Sequence, residues 1–462
     1  MLKEVSIGNS IEIKGKTFRL HDTLLSAPYP QMLSIESTNF CNLCCSHCGH
    51  SQLPGFNKGH LEIGIFEKIE DLLGSGIKGL SLSNFGEPFI SKEWNTLLGR
   101  ALLVEGLNIS FITNGLLLDR HLEEVIDPRI SIAISIDGVT EETYGYFRGC
   151  GNLSRLLRNM ELLRDIKEKK GGNFPRLTLL FTVSRVNVHE LEKIVDLAST
   201  YGAETVIVQL QLFFNRKMFE AESLFFKKEE YDRHIAAASR RAMKTGINLI
   251  HPDSFDGDTV VNRESIDNSW LGWDDEGRIK CFSHNTVCYI KYNGIIEACC
   301  SPNHNIMGNL ETDSFDDIWY GPNYRELRLA FARGEWPERC RYCNLIQAVD
   351  VHDTRAHLVE VHGTSPFTVP YPQKYKISDV EKIYKELLSI LPKDTEEALR
   401  LISRVSGLDE NLYEVGNLAA CLRGMNGETD TMLKGLERCR EIAPGDPCIL
   451  NNYNNLKDLI AP

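Results

Sequence analysis

The sequence predicts an α/β fold built on a parallel sheet, followed by a small cysteine-bearing α+β region and a helical C-terminal segment. Between residues 32 and 215, six short apolar runs rich in Ile, Val, Leu and Thr alternate with amphipathic helical segments. That alternation is typical of consecutive β–α–β units, which form parallel sheets. From residue 376 onward the apolar spacing is helical by pattern.

The six predicted strands place several turns at one edge of the sheet. In order they are "MLSIEST", "GLSLSN", "LNISFITNG", "ISIAISIDG", "RLTLLFTVSR" and "ETVIVQLQLF". Loops at the carboxyl ends of parallel strands carry function in such folds. We therefore expect the cysteine-rich stretch after the first strand, the Gly-Glu-Pro turn after the second, Asn114–Gly115 and Asp137–Gly138 to share one rim.

The remaining segments are shorter or less periodic. Asn293–Gly294 lies between two β-like runs and predicts a hairpin turn. The stretch "LERCREIAPGDPCILNNYNNL" resembles a tetratricopeptide repeat, and a plain helical cap is the alternative. The predicted boundaries are 1–31 for a lead-in, 32–215 for the sheet domain, 216–275 for a helical connection, 276–348 for the cysteine-bearing domain, 349–375 for a linker and 376–462 for the helical domain.

Composition and charge narrow the class of protein. The 462 residues carry a formal net charge of −13, which disfavours nucleic acid as a partner. The N-terminus has no apolar signal core, and no apolar run is long enough to span a bilayer. We therefore expect a cytoplasmic protein. In that reducing compartment, clustered cysteines among the fourteen present bind metal or do chemistry more often than they form disulfides.

The stretch "NFCNLCCSHCGH" carries the densest cysteine group. Cys41, Cys45 and Cys48 have the spacing C-x3-C-x2-C, on a loop just after the first strand, whereas Cys44 is taken as a packing residue or accidental. Three thiolates would leave one iron of a 4Fe–4S cluster without a protein ligand, and an open position is what a catalytic metal site requires. A zinc site completed by Cys44, His47 or His50 is the alternative.

This spacing after the first strand of a β/α chain resembles the radical SAM enzymes. The resemblance implies a partial (β/α)6 TIM-like barrel and a 4Fe–4S cluster whose open iron binds S-adenosylmethionine (SAM). It also implies reductive cleavage of SAM to a 5′-deoxyadenosyl radical that abstracts hydrogen from a substrate. An external one-electron reductant such as flavodoxin or ferredoxin would supply the electron.

Further motifs in the expected order strengthen the resemblance. "NFGEPF" is similar to the family's Gly-Gly-Glu-Pro turn, with Phe85 in place of the first glycine, and "ITNG" and "SIDGVTEETYGYFRG" are similar to later stretches. The position before the third cysteine, often aromatic in the family, is His47 here. The residues that the resemblance implies for cofactor binding are Gly86, Glu87, Asn114, Ser135 and Arg148.

A second cysteine group follows the sheet domain. The arrangement Cys281, Gly294-x4-Cys299 and Cys340-x-x-Cys343 resembles the twitch domain of some radical SAM enzymes, the half-size form of the SPASM domain. That resemblance implies one auxiliary 4Fe–4S cluster held by these four cysteines. Cys299 is preferred over Cys300 on spacing alone, and a structural zinc site is the alternative. A fully ligated cluster suits electron transfer, so we expect a net oxidation of the substrate.

Substrate and catalytic residues are less constrained. Only about thirty residues precede the first strand, too few for a leader-binding domain, which favours a small polar metabolite such as a sugar or aminocyclitol. Peptide or protein modification, with the helical tail gripping the substrate, is the first alternative, and a zinc-stabilised binding scaffold is the second. The candidate catalytic residues are Asp137 and His284 as bases and Cys150 as a hydrogen-atom donor, with His251 as a further candidate base.

Overall fold

The computed structural model describes residues 10–25, 27–52, 57–74, 76–252, 254–255, 271–273, 279–281, 283–300, 306–335, 340, 373–391, 394–405 and 407–460. The chain folds into two compact units. The barrel unit comprises the described parts of Tyr29–Ile306 and Glu338–Val369. The helical unit comprises those of Met1–Pro28, Met307–Pro337 and Pro370–Pro462.

The described strands are short, and most belong to the barrel unit. In chain order they are β1 (Ser10–Ile13), β2 (Lys16–Arg19), β3 (Met32–Ile35), β4 (Gly79–Ser81), β5 (Asn108–Thr113), β6 (Ile130–Ser135), β7 (Arg176–Val183), β8 (Thr205–Leu210), β9 (Asn248–Ile250), β10 (Leu271–Trp273), β11 (Ile279–Cys281), β12 (Val287–Ile290), β13 (Ile295–Glu297) and β14 (Ile306–Asn309).

The described helices follow the strands of the barrel unit and make up most of the helical unit. They are α1 (Gly49–Gln52), α2 (Ile63–Glu70), α3 (Trp94–Leu103), α4 (Glu141–Arg148), α5 (Leu153–Lys170), α6 (Leu191–Thr200), α7 (Arg216–Glu222), α8 (Lys228–Thr245), α9 (Ser283–Thr286), α10 (Phe315–Trp319), α11 (Pro322–Ala332), α12 (Ile377–Ile390), α13 (Thr395–Val405), α14 (Tyr413–Met425), α15 (Thr429–Ile442) and α16 (Pro447–Ile460).

The parallel sheet confirms the predicted α/β fold. Strands β3 to β9 lie side by side in chain order and run parallel, and β3 to β8 are the six predicted strands. Strand β9 and the parallel pairing of β12 were not predicted. β9 is only three residues long and lies in the segment taken as helical, and β12 pairs in parallel with the free side of β3. The predicted Asn293–Gly294 hairpin joins β12 to β13.

The two faces of the sheet differ in chemistry. On one face Leu80, Ile109 and Ile132 are fully buried, as expected where helices cover a parallel sheet. On the opposite face, strand pairing aligns four serines: Ser34, Ser81, Ser110 and Ser131. We call this second side the serine face. It is lined by small polar side chains, as suits the interior of an open barrel that holds polar ligands.

The helical unit joins the N-terminal hairpin to the C-terminal helices. Asn452 on α16 caps the open edge of β2: its Oδ1 accepts from Arg19 N at 2.6 Å and its Nδ2 donates to Arg19 O at 2.6 Å. His21 Nε2 lies 3.1 Å from Asp446 Oδ1 at the start of α16. Among the described residues after 376, five helices are present, which confirms the helical prediction. The tetratricopeptide resemblance and the domain boundaries stay predictions.

The sequence predicts no transmembrane segment. Among the residues that the structure describes, no helix combines the length and the apolar character needed to cross a bilayer.

Candidate active site

The loop between β3 and α1, residues 36–48, is held rigidly at the carboxyl end of its strand. Ser37 Oγ donates to Leu82 O at 3.0 Å, which fixes the start of the loop to the neighbouring strand. The fully buried amide of Asn39 accepts from Gly59 N and donates to Asn57 O, both at 2.8 Å. Buried polar groups satisfied in this way leave the loop one conformation.

This loop brings Cys41, Cys45 and Cys48 together. Burial, together with the nearby thiols, raises the pKa of Cys41 to about 12 and that of Cys45 to about 11, and burial raises the pKa of Cys48. The thiols are not all within 4.8 Å of one another, whereas four thiolates on one zinc ion lie about 3.8 Å apart. In these positions the three thiols do not form a site for one ion, and a loop with this spacing can hold a larger cluster. Cys44 is exposed and so does not pack in the core.

The predicted Gly-Glu-Pro turn lies against the cysteine loop. Gly86 has φ +81°, and a Cβ there would meet the main chain of the loop at 2.5 Å, so only glycine fits. Glu87 N donates to Phe40 O at 2.8 Å. The Glu87 carboxylate is buried and accepts from Thr113 Oγ1 at 2.7 Å and Asn114 N at 2.8 Å. Burial raises the pKa of Glu87 to about 7 despite these donors.

Helix α4 places Arg148 against the same loop. The helix begins with a capping box in which the Thr140 and Thr143 hydroxyls accept from each other's main-chain N–H. It ends at Gly149, whose φ is +60° and whose Cβ position lies 2.9 Å from Cys44 O. This close approach lets the last turn of the helix pack on the cysteine loop and buries Arg148 beside it.

Arg148 joins a buried charge network with Asp137. The guanidinium forms an ion pair with the Asp137 carboxylate, and its Nη1 lies 3.7 Å from Cys45 Sγ. Asp137 also accepts from Thr182 N at 2.7 Å and lies 3.3 Å from His47 Nε2. Burial lowers the pKa of His47 to about 4, so its ring is neutral. Asp137 is fully enclosed by these partners, which does not favour its predicted role as a base.

The other predicted residues differ in how near they lie to the cysteine loop. Ser135 ends β6 on the serine face. Cys150 is exposed, and its Sγ lies 3.6 Å from a main-chain oxygen of the cysteine loop. His251 is held within its own loop, with Nδ1 2.7 Å from Pro252 O. His284 is buried in α9. The structure thus brings Ser135 and Cys150 toward the site and gives His251 a local structural contact.

Two predicted ligands of the second group and the adjacent Cys300 interact with one tyrosine. The buried Tyr289 hydroxyl contacts Cys300, and Cys299 and Cys281 are also close enough that, with burial, they raise the pKa of Tyr289. Cys299 and Cys300 follow β13 directly, and Cys281 ends β11. The β12–β13 hairpin therefore carries this group on the same sheet as the first cysteine loop.

Of the other two predicted ligands in the second group, the structure describes one. Cys340 is half-buried, and the predicted ligand Cys343 lies outside the described residues. Cys288 is fully buried in β12, as a packing residue would be.

Sequence reasoning missed several residues that touch the site. Thr113 directly precedes the predicted Asn-Gly turn, and that position at a strand end could have flagged it. Glu36, Lys291 and Glu297 form a buried charge group at the sheet rim. No spacing links Glu36 to the other two, because parallel pairing between β3 and β12 brings them together.

A parallel, open barrel whose first strand leads into a loop of three clustered cysteines is the architecture of the radical SAM class. The family model "Radical SAM superfamily" matches residues 35–198, and the model of the SPASM iron–sulfur cluster-binding domain matches residues 281–344. The chain therefore carries a radical SAM domain followed by a SPASM iron–sulfur cluster-binding domain.

The curated relatives match this chain over different lengths. The AdoMet-dependent heme synthase of Methanosarcina barkeri is 30% identical over 38% of this chain and 48% of its own length, so the chain spans about half of that relative. The mycofactocin maturase MftC of Mycobacterium ulcerans is 26% identical over 65% of this chain and 77% of its own length. The solved structure of anSMEcpe with bound AdoMet shares the fold, with a TM-score of 0.50 and 16% identity over 69% of this chain and 88% of that chain.

The cofactors of this enzyme class are a SAM-binding 4Fe–4S cluster, an auxiliary 4Fe–4S cluster and SAM. The residues present fit them. Three thiols lie on one loop, with at least one pair of sulfurs more than 4.8 Å apart, and a buried arginine lies beside the buried thiol of Cys45. In the second region the Tyr289 hydroxyl contacts Cys300, and Cys299 and Cys281 are near enough to raise its pKa.

Proposed function

We propose that this protein is a peptide- or protein-modifying radical SAM enzyme. The observation that carries the proposal is the extent of the maturase likeness, 305 residues, more than the combined length of the two matched domains. AlbA of Bacillus subtilis, a relative named for bacteriocin subtilosin biosynthesis, matches over 179 residues, about the length of the radical SAM domain alone, so its likeness adds little about substrate.

The small-metabolite interpretation from the sequence has weaker support. The heme synthase and a probable GTP 3′,8-cyclase match over only 177 and 181 residues, about the length of the radical SAM domain alone. Likeness limited to that domain reports the shared radical chemistry and says little about substrate. The zinc-scaffold alternative has no support among the comparisons.

The predicted cluster ligands and SAM-binding residues each have a role in this proposal. Cys41, Cys45 and Cys48 would hold the SAM-binding cluster, and four cysteines, Cys281, Cys299, Cys340 and Cys343, would hold the auxiliary one. When bound, the first cluster and SAM supply a 5′-deoxyadenosyl radical that abstracts hydrogen.

The chain's own side chains would orient SAM. Glu87 would accept from the SAM amino group and the buried guanidinium of Arg148 would bind the SAM carboxylate, both charge-assisted contacts. Gly86, Asn114 and Ser135 would complete the pocket. A flavodoxin or ferredoxin would deliver the electron. We further infer a net oxidation, such as crosslinking, because a fully protein-ligated cluster is suited to accepting electrons.

Deuterium transfer can distinguish the two substrate classes before the individual substrate is identified. The reduced holoenzyme and SAM are incubated with peptides from a perdeuterated protein digest, or with perdeuterated sugars and polyols. We expect deuterium in 5′-deoxyadenosine, measured by mass spectrometry, only with the peptides. Transfer from the sugars alone would overturn the proposal and restore the small-metabolite interpretation.

A further inference from the structure

Phe85 occupies the turn position where the family's pattern has glycine, and the structure shows what surrounds it. Its ring lies under the ammonium of Lys291, with Nζ 4.6 Å from the ring centroid. Its main-chain N donates to Glu36 Oε2 at 3.4 Å. Phe85 is two residues before Glu87, so whatever holds this side chain also holds the turn.

Lys291 is itself fixed between two carboxylates. Nζ lies 3.5 Å from Glu36 Oε2 and 3.4 Å from Glu297 Oε2. Lys291 is 2% exposed, Glu36 1% and Glu297 2%. An ammonium has three protons, and here two carboxylates and one aromatic face surround it. Both ion-pair distances are long, so the ring contact is a substantial part of the environment of this charge.

Strand register explains why these residues meet. β12 pairs with β3 so that Tyr289 is opposite Ser34 and Ile290 opposite Ile35, which puts Lys291 opposite Glu36. Tyr289 is also opposite Glu297 in the β12–β13 hairpin. Side chains alternate between faces along a strand, so Glu36, Lys291 and Glu297 all lie on the serine face, at its rim and beside the Phe85 turn.

We propose that Lys291 is a positioning residue for SAM binding, acting through Phe85. Glu36 and Glu297 hold the ammonium, the ammonium holds the Phe85 ring by a cation–π contact, and the ring fixes the Phe85–Glu87 turn against the cysteine loop. The proposal rests on the assignment of Glu87 to SAM. It does not depend on the substrate, so its failure and that of the proposed function are distinguishable.

A double-mutant cycle on the reconstituted holoenzyme tests this pathway, with SAM as the probe in anaerobic equilibrium dialysis. Lys291→Met is expected to weaken SAM binding about 10-fold, the scale of a desolvated cation–π contact. In a Phe85→Gly background the same substitution should change binding by less than about 2-fold, because the ring it acts through is gone. Lys291→Arg should keep binding within about 3-fold of the unchanged protein, since guanidinium also stacks on aromatic rings.

Equal losses in both backgrounds would overturn the proposal, as would an unchanged affinity in Lys291→Met. Removing Lys291 alone leaves two buried carboxylates without their cation and can prevent folding. The triple variant Lys291→Met, Glu36→Gln, Glu297→Gln avoids that problem because it buries no charge. It should retain its iron and show the same loss of SAM affinity; full affinity in this variant would also overturn the proposal.

Discussion

The two cysteine groups of this protein are built in opposite ways. The first spans eight residues, Cys41 to Cys48, on one loop between a strand and a short helix. The second extends from Cys281 to Cys343 and depends on a hairpin that pairs in parallel with β3, far away in sequence. A site contained in one loop can be recognised from spacing. A site assembled by strand pairing needs the fold before its members can be separated from neighbouring cysteines.

The largest expected effect tests the local site. Cys45→Ala removes a buried thiol beside Arg148, and we expect dithionite-driven 5′-deoxyadenosine formation to fall by more than about 100-fold, because loss of even an outer-shell partner costs up to that much. The matched control is Cys44→Ala, the adjacent exposed thiol, which should retain activity. Comparable losses in both variants would contradict the assignment of ligands by C-x3-C-x2-C spacing.

The next prediction concerns a residue of the first site that lies far from the cysteine loop in sequence. Asp137, at the end of a strand three positions along the sheet, pairs with Arg148. We expect Asp137→Asn to weaken SAM binding about 10- to 100-fold, because Arg148 loses the carboxylate that orients it. Anaerobic equilibrium dialysis measures the affinity.

A second aspartate–arginine pair near the start of the same strand provides the control. Asp127 pairs with Arg129 at 3.0 Å and is partly exposed, so Asp127→Asn should leave SAM affinity unchanged. If Asp137→Asn also left SAM affinity intact but abolished substrate conversion, the sequence-based hypothesis that Asp137 is a base would be supported instead.

The limits of sequence reasoning follow the same division. Alternating apolar runs predicted β3 to β8, and motif order predicted which loops would meet, since both signals are local. Residue types also suggested Asp137 as a base, although tertiary packing surrounds it with Arg148 and His47. The Lys291 contacts could not be predicted, because they depend on the register between β12 and β3.

The smallest expected effect distinguishes the two adjacent cysteines after β13. Cys299 and Cys300 are both half-buried, and the Tyr289 hydroxyl contacts Cys300, which gives that thiol a protein partner of its own. We expect Cys299→Ala to lower iron from roughly eight to roughly four atoms per chain, with SAM cleavage retained because the first cluster is intact. Cys300→Ala should keep roughly eight. The opposite pattern would make Cys300 the cluster ligand. The path of the chain after β13, and not the Gly-x4-Cys spacing, would then decide which cysteine binds iron.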